Sequence, residues 1–198
     1  MQQHINDETH YSSLKALEYL ESILPSECAL IPIVPLKKSP LLKQWNETKA
    51  QEHLNDDFRA HFKDQVGIGL VTGDASLGLC FIDIDHDDIA DTLEKQWSIL
   101  QTTIKVRGSR GAKWLLYCPL GMRGKKLYYK NKMVGELLAT GQQGVLAGLH
   151  PTTLKPYQLS QIEHGIATLN SEDLSFLNSL THAPISLGNH KRRRLRRK

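Results

Sequence analysis

The stretch CFIDIDHDD, residues 80–88, runs an apolar strand straight into Asp83, Asp85, Asp87 and Asp88. Carboxylates this crowded repel one another unless positive charge holds them. In an extended strand, side chains alternate between faces, so Ile82 and Ile84 point one way and Asp83 and Asp85 the other. Those two carboxylates stand about 7 Å apart along the backbone and can converge on a cation between them. Hard oxygen ligands suit Mg²⁺ or Mn²⁺, which keep several waters and also bind substrate phosphates. Two such ions, about 3.5–4 Å apart, can stabilise both the attacking and the leaving oxygen of a phosphoryl transfer. For Asp87 and Asp88 the reading is a solvated turn in which one of them caps the helix that follows.

An acidic strand end alone does not select a reaction. It also occurs in glycosyltransferases and haloacid-dehalogenase phosphatases. The phosphatase pattern usually has Thr or Val where this chain has Asp87, which counts against that class. Composition narrows the field further. At 198 residues the chain suits one domain with a sizeable core. It has no apolar run near the ~20 residues of a membrane helix, and the polar start MQQHINDETH is no signal peptide. Cys28, Cys80 and Cys118 are odd in number and form no CxxC pair. Cys80 and Cys118 are read as reduced core residues, which implies a cytoplasmic compartment.

The net charge of +4 is unevenly spread. The last eight residues, KRRRLRRK, hold seven of the 25 Lys and Arg and none of the 21 Asp and Glu, so the rest of the chain is at −3. Such a block is an arm that attracts phosphates, or else a solubilising end. The boundaries expected are a folded domain over 1–185 and a basic, disordered tail over 186–198, whose phosphate-binding candidates are Arg192, Arg193, Arg194, Arg196 and Arg197.

Along the chain, YSSLKALEYLESIL places Leu14, Leu17, Leu20, Ile23 and Leu24 on one helical face. ALIPIVPL reads as a strand, and its prolines suggest an edge. Residues 47–62 read as a polar helix. GIGLVTG and LGLCFIDID read as strands, the second apolar enough to be central. A helix with Ile89, Leu93, Trp97 and Leu100 on one stripe follows, Trp97 being a core residue. TTIKVRG, KWLLYCP, KLYYK, MVGELLA and PYQLS are short strands, and Ser171 is expected to cap a last helix. Helices mixed with hairpin-like strands give the class α+β.

The order of these segments resembles the bifunctional primase/polymerase (prim-pol) family of the archaeo-eukaryotic primase superfamily. The pieces are IPIVPLKKSP, Trp45, VGIGLVTG, LGLCFIDID, RGSRGAKWLLYCP, VGELLATG and LHPTTLKPYQ, covering about residues 27–160. The resemblance implies a catalytic core with a mixed, RRM-like β-sheet flanked by helices. It implies template-directed nucleotidyl transfer, as DNA primase or DNA polymerase, with two Mg²⁺ or Mn²⁺ ions. It places the family's paired acids on Asp83 and Asp85 and its third carboxylate on Glu136. Glu136 is also the only acid in an apolar strand from Met133 to Thr140, though a residue facing solvent is another reading of it. The three acids are expected to converge within about 4–8 Å, with ions ~2.1 Å from each oxygen.

The RGSRGAKW turn is the nucleotide-binding candidate: Arg107, Ser109, Arg110 and Lys113 offer donors, and Gly108 and Gly111 let backbone approach phosphates. Most family members carry a His in the strand after this turn. The equivalent position here is near Lys113 or Trp114, so that His is absent, and Lys113 is the residue that could supply charge, as a point charge rather than a directed imidazole. Arg110 and Lys113 are expected to border the cleft opposite the acids. His150 matches the family's closing histidine and either orients nucleotide or template, or is held as a turn residue. Lys37, Lys38 and Lys43 are candidates for backbone phosphates or are simply solvated. Lys126 and Tyr128, in KKLYYKNK, pair cations with an aromatic ring that can stack a base; an ordinary hairpin strand explains them almost as well. Expected partners are a single-stranded DNA template, nucleoside triphosphates and a separate replicative helicase, with no membrane. The setting expected is a phage, plasmid or other mobile element. The rival readings are a non-catalytic nucleic-acid-binding accessory on the same fold, and another metal-dependent phosphotransferase.

Overall fold

The alternation in FIDID decides where its strand goes. One face is all apolar, so it must be covered, and the other must meet something that tolerates charge. The computed structural model describes residues 11–181, and there the strand lies in the middle of a sheet. In chain order the elements are α1 (Ser13–Ile23), β1 (Leu30–Ile33), α2 (Asp56–Arg59), β2 (Gly67–Val71), β3 (Leu79–Ile84), α3 (Asp87–Gln96) and β4 (Lys105–Arg107). They continue with β5 (Ala112–Tyr117), β6 (Lys125–Tyr129), β7 (Lys132–Leu138), β8 (Gln143–Ala147), β9 (Gln158–Ser160), β10 (Ala167–Thr168) and α4 (Ser171–Ser179). The large sheet runs β6-β7-β3-β5-β4-β9, with β10 pairing β5 in parallel, and a small sheet runs β1-β2-β8. The class is α+β, β3 is central as expected, and proline-bearing β1 is an edge strand.

Two cores lie on opposite faces of the large sheet. On one face Ile82, Ile84, Trp114, Leu116, Leu127 and Leu137 pack with Leu93, Trp97 and Leu177 of the α3 and α4 region. On the other, Phe81, Val106 and Leu115 pack with Leu30, Ile31, Ile68 and Leu70 of the small sheet and with Leu17 and Leu20 of α1. Gly144 lets β8 approach closely, since a Cβ there would come within 2.5 Å of the Phe81 ring. Trp97 is a core residue, and its indole Nε1–H donates to Asp173 Oδ1 at 2.7 Å.

Several local expectations are corrected. In α1 the buried stripe is Ser13, Ala16, Leu17 and Leu20, while Leu14 is 46% exposed. The helix turns its small residues inward, and the Ser13 hydroxyl donates to the Val66 carbonyl at 2.7 Å. The polar helix over 47–62 is instead two 3₁₀ turns, Trp45–Glu47 and Glu52–Leu54, and the single turn α2. Without an apolar stripe, local chemistry wins: Gln51 is left-handed, and the Asn55 side chain starts a new helix by accepting from Asp57 and Phe58 N–H. Asn170, not Ser171, caps α4, in a reciprocal capping box with Asp173. Neither Asp87 nor Asp88 caps α3, whose cap position is His86.

The cysteine reading is also overturned. Cys80 and Cys118 form a disulfide, with Cα atoms 6.2 Å apart. They are 38 residues apart in sequence, but the β3–β5 register of Cys80 with Leu116 makes them diagonal neighbours. Cys28 alone is free, and it is buried. The cytoplasmic expectation therefore loses the support it drew from reduced cysteines. No helix among the described residues is long and apolar enough to cross a membrane.

The turn from β4 into β5 depends on Gly111, which has φ +63° and where a Cβ would overlap the Ile84 carbonyl oxygen. Gly111→Ala is expected to cost about 2 kcal/mol or more, read as a melting temperature lowered by several degrees. Alkylation of the denatured, unreduced protein is expected to label one cysteine, Cys28; labelling of all three would show that Cys80 and Cys118 are thiols.

Candidate active site

Strand register builds the site. In β3, Asp83 lies opposite Glu136 of β7 on one side and opposite Lys113 of β5 on the other. Directly opposed residues have Cβ atoms about 4.5–5.5 Å apart. The sequence neighbours Ile82, Ile84, Ala112, Trp114 and Leu137 all enter the helix-side core. Asp83, Lys113 and Glu136 therefore share the other face. Asp85 lies one residue beyond the end of β3, exposed, with its N–H donating to the Val134 carbonyl at 2.9 Å. Alternation keeps it on the side of Asp83. The lower part of this face, at Phe81, Leu115 and Leu138, is covered by the small sheet, and the charges begin past that contact.

The electrostatics report the same proximity. Burial pushes the Asp83 carboxyl up; Lys113 and Lys38 pull it back, while Asp85 and Glu136 raise it further. Burial pushes Lys113, which is 8% exposed, down; Asp83 and Asp85 oppose this, and Lys38 adds to it. Lys38, on the loop after β1, is thus near both groups, and its carbonyl is held by the Gln143 side-chain amide at 2.8 Å. Lys113 stands beside the acids on the adjacent strand, where sequence reasoning expected it across the cleft from them.

The turn carrying Gly108 to Gly111 is clasped from both sides. Asp87 Oδ1 accepts the Gly111 N–H at 2.9 Å, which gives this acid a structural task. On the other side, Ser109 Oγ lies 3.1 Å from His150 Nε2. The Thr152 N–H donates to His150 Nδ1 at 3.2 Å. With Nδ1 an acceptor, the neutral ring carries its proton on Nε2 and donates to Ser109 Oγ. The Ser109 hydroxyl hydrogen is then free to turn outward. Burial lowers the His150 pKa, and Lys38 and Lys113 lower it further, so the ring is neutral at pH 7.

The remaining candidates are distributed unevenly. Arg107 is committed to α3, with Asp91 at 2.9 Å and Asp87 at 3.5 Å. Arg110 is exposed at the apex of the turn, and Lys37 is exposed on the same loop as Lys38. Tyr128 lies on edge strand β6 and donates its backbone N–H to the Leu180 carbonyl at 2.6 Å. Lys126 lies opposite Glu136. Arg192, Arg193, Arg194, Arg196 and Arg197 fall outside the described residues. Tyr157 was given no role by sequence reasoning. Its ring lies 5.3 Å from Lys113 Nζ and 5.6 Å from the His150 ring, and its hydroxyl is buried without a hydrogen-bond partner. Burial and Asp83 push that hydroxyl up to about 12. The only signal for Tyr157 was its place in the closing segment LHPTTLKPYQ.

Among the described residues, no three His, Cys, Asp or Glu side chains form a ready-made metal cage. Mg²⁺ does not require one, because it is typically held by one or two carboxylates, waters and substrate phosphates. Acidic oxygens at an open rim, beside a lysine and hydroxyl suited to phosphate, fit that mode.

No curated protein matches the chain. The family model described as bifunctional DNA primase/polymerase, N-terminal, matches residues 17–172, from the middle of α1 to the first turn of α4. The match contains every acid and cation of the site and extends beyond the span expected from motifs. By this match the chain belongs to the Prim-Pol family of bifunctional DNA primase/polymerases.

Proposed function

We propose that this chain joins nucleotides on a single-stranded DNA template, as a DNA primase, a DNA polymerase or both. The observation that carries the proposal is the side-by-side placement of Glu136, Asp83 and Lys113 on three neighbouring strands. A surface built only to bind phosphates gains nothing from clustered carboxylates, whereas phosphoryl transfer between two substrates does.

Asp83, Asp85 and Glu136 would hold two Mg²⁺ or Mn²⁺ ions, which would supply activation of the primer 3′-hydroxyl and charge neutralisation on the triphosphate. Lys113, kept in place by burial under Tyr157, adds fixed positive charge beside the transferring phosphate. Ser109, oriented by His150, donates to a phosphate oxygen, and Arg110 reaches the outer phosphates from the apex of the turn. No side chain acts as general base; the 3′-hydroxyl proton leaves to solvent. The catalytic domain takes in residues 1–185. Arg192 to Arg197 supply sequence-independent affinity for single strands, and Lys37 and Lys38 contact the strand near the site. A separate helicase unwinds the duplex of a phage, plasmid or other mobile element.

One observation favours a second reading, a non-catalytic binding module. The usual family histidine is absent near Lys113 and Trp114, and a lysine, Lys113, lies directly opposite Asp83 instead. Primer synthesis and extension on single-stranded DNA with Mg²⁺ or Mn²⁺ decide between the two. Wild-type activity is expected. Asp83→Asn is expected to lose at least about 100-fold, the loss seen when one preorganised electrostatic group is removed. Lys113→Ala is expected to raise the KM for nucleotide much more than the Kd for template. A wild-type protein that binds single strands and makes no product would establish the second reading.

A further inference from the structure

The register that joins Asp83 to Glu136 continues one strand further. Lys126 of β6 lies opposite Glu136, so Lys126, Glu136, Asp83 and Lys113 form one row across four neighbouring strands. Burial supports the same placement independently. Leu127, the next residue, is fully buried in the helix-side core, which turns Lys126 to the face of the acids. Lys125, its other neighbour, reaches Asn178 of α4 at 3.2 Å on the helix side. With strands about 4.8 Å apart, the two lysines stand roughly 14 Å apart with both carboxylates between them.

The row has a direction. The phosphate-binding groups Ser109, His150 and Lys113 are all at its β5 end. Phosphoryl transfer needs the attacking and leaving oxygens roughly in line on opposite sides of the phosphorus. If the triphosphate lies over β5, the attacking 3′-hydroxyl arrives from β7. The next cation in that direction is Lys126, on the edge strand, beyond which the sheet has no further strand among the described residues.

Resting on the reading of this site as a nucleotidyl transferase, we infer that Lys126 binds the last internucleotide phosphate of the primer and so positions its 3′ end beside Glu136 and Asp83. The incoming nucleotide and the primer therefore take opposite ends of the row. Lys126 is a positioning residue: it touches the primer backbone and not the reacting atoms.

The test pairs a protein change with a chemical one. Binding of a primed template is measured by fluorescence anisotropy, with the primer's last linkage either a normal phosphate or an uncharged methylphosphonate. For the wild type, the methylphosphonate is expected to weaken binding about 10-fold, the scale of a charge-assisted contact. Lys126→Ala is expected to bind the normal primer about as weakly and to be insensitive to the methylphosphonate, while Lys126→Arg regains sensitivity. In extension assays Lys126→Ala raises the KM for primed template and leaves the KM for nucleotide within about 2-fold, the reverse of Lys113→Ala. A Lys126→Ala protein that still senses the methylphosphonate, or a wild type that does not, overturns the inference. The binding arm needs no turnover. If the wild type fails to extend and the binding pattern still holds, the proposed reaction fails and the phosphate subsite stands.

Discussion

Everything at the site depends on the pairing of β3 with β5 and β7. That register sets Asp83 between a carboxylate and an ammonium. Shifting either neighbour by one residue would turn Lys113 or Glu136 into the helix-side core and bring an apolar residue to the charged face. The apolar positions prevent this. Ile82, Ile84, Trp114 and Leu137 are fully buried, and burying each such side chain contributes about 1.5–3 kcal/mol. The chemistry is thus placed by oily residues on the opposite side of the same strands.

The second constraint is the unequal cover of the site face. The small sheet packs against Phe81 and Leu115, and Gly144 lets β8 come close to the Phe81 ring. Charges beyond that contact are partly shielded, which explains why Asp83 is pushed up and Lys113 down. An acid and an amine strained in this way both gain when a divalent ion and a triphosphate arrive together, since each brings the charge that the other partner lacks. Asp87 clasping Gly111, and His150 clasping Ser109, tie the intervening turn to the start of α3 on one side and to the segment after β8 on the other.

Much of this was legible in the sequence, and the reasons are specific. FIDID carries its own alternation, which set Asp83 and Asp85 on one face, and the apolar run LGLCFI before it pointed to a central strand. Glu136 stood out as one acid in an apolar strand. What periodicity does not contain is which strands are neighbours. That gap hid the disulfide of Cys80 with Cys118, the placement of Lys113 beside Asp83, and the row that includes Lys126. Arg107 looked like a phosphate donor because its partners, Asp87 and Asp91, belong to a helix whose contact with β4 no local pattern announces. Tyr157 was silent because two of the groups around it, Lys113 of β5 and Asp83 of β3, are far away in sequence. Boundaries failed where side chains cap backbone, at Asn55 and Asn170, and where Gln51 turns left-handed, since several polar residues compete for each such position.

The most direct measurement is the anomalous scattering of Mn²⁺ in crystals grown with Mn²⁺ and a non-hydrolysable nucleoside triphosphate. The account predicts peaks between the carboxylates of Asp83, Asp85 and Glu136, with the triphosphate extending toward Lys113 and Ser109. Manganese bound only at Asp87 or Asp88, with no ion between Asp83, Asp85 and Glu136, would contradict it.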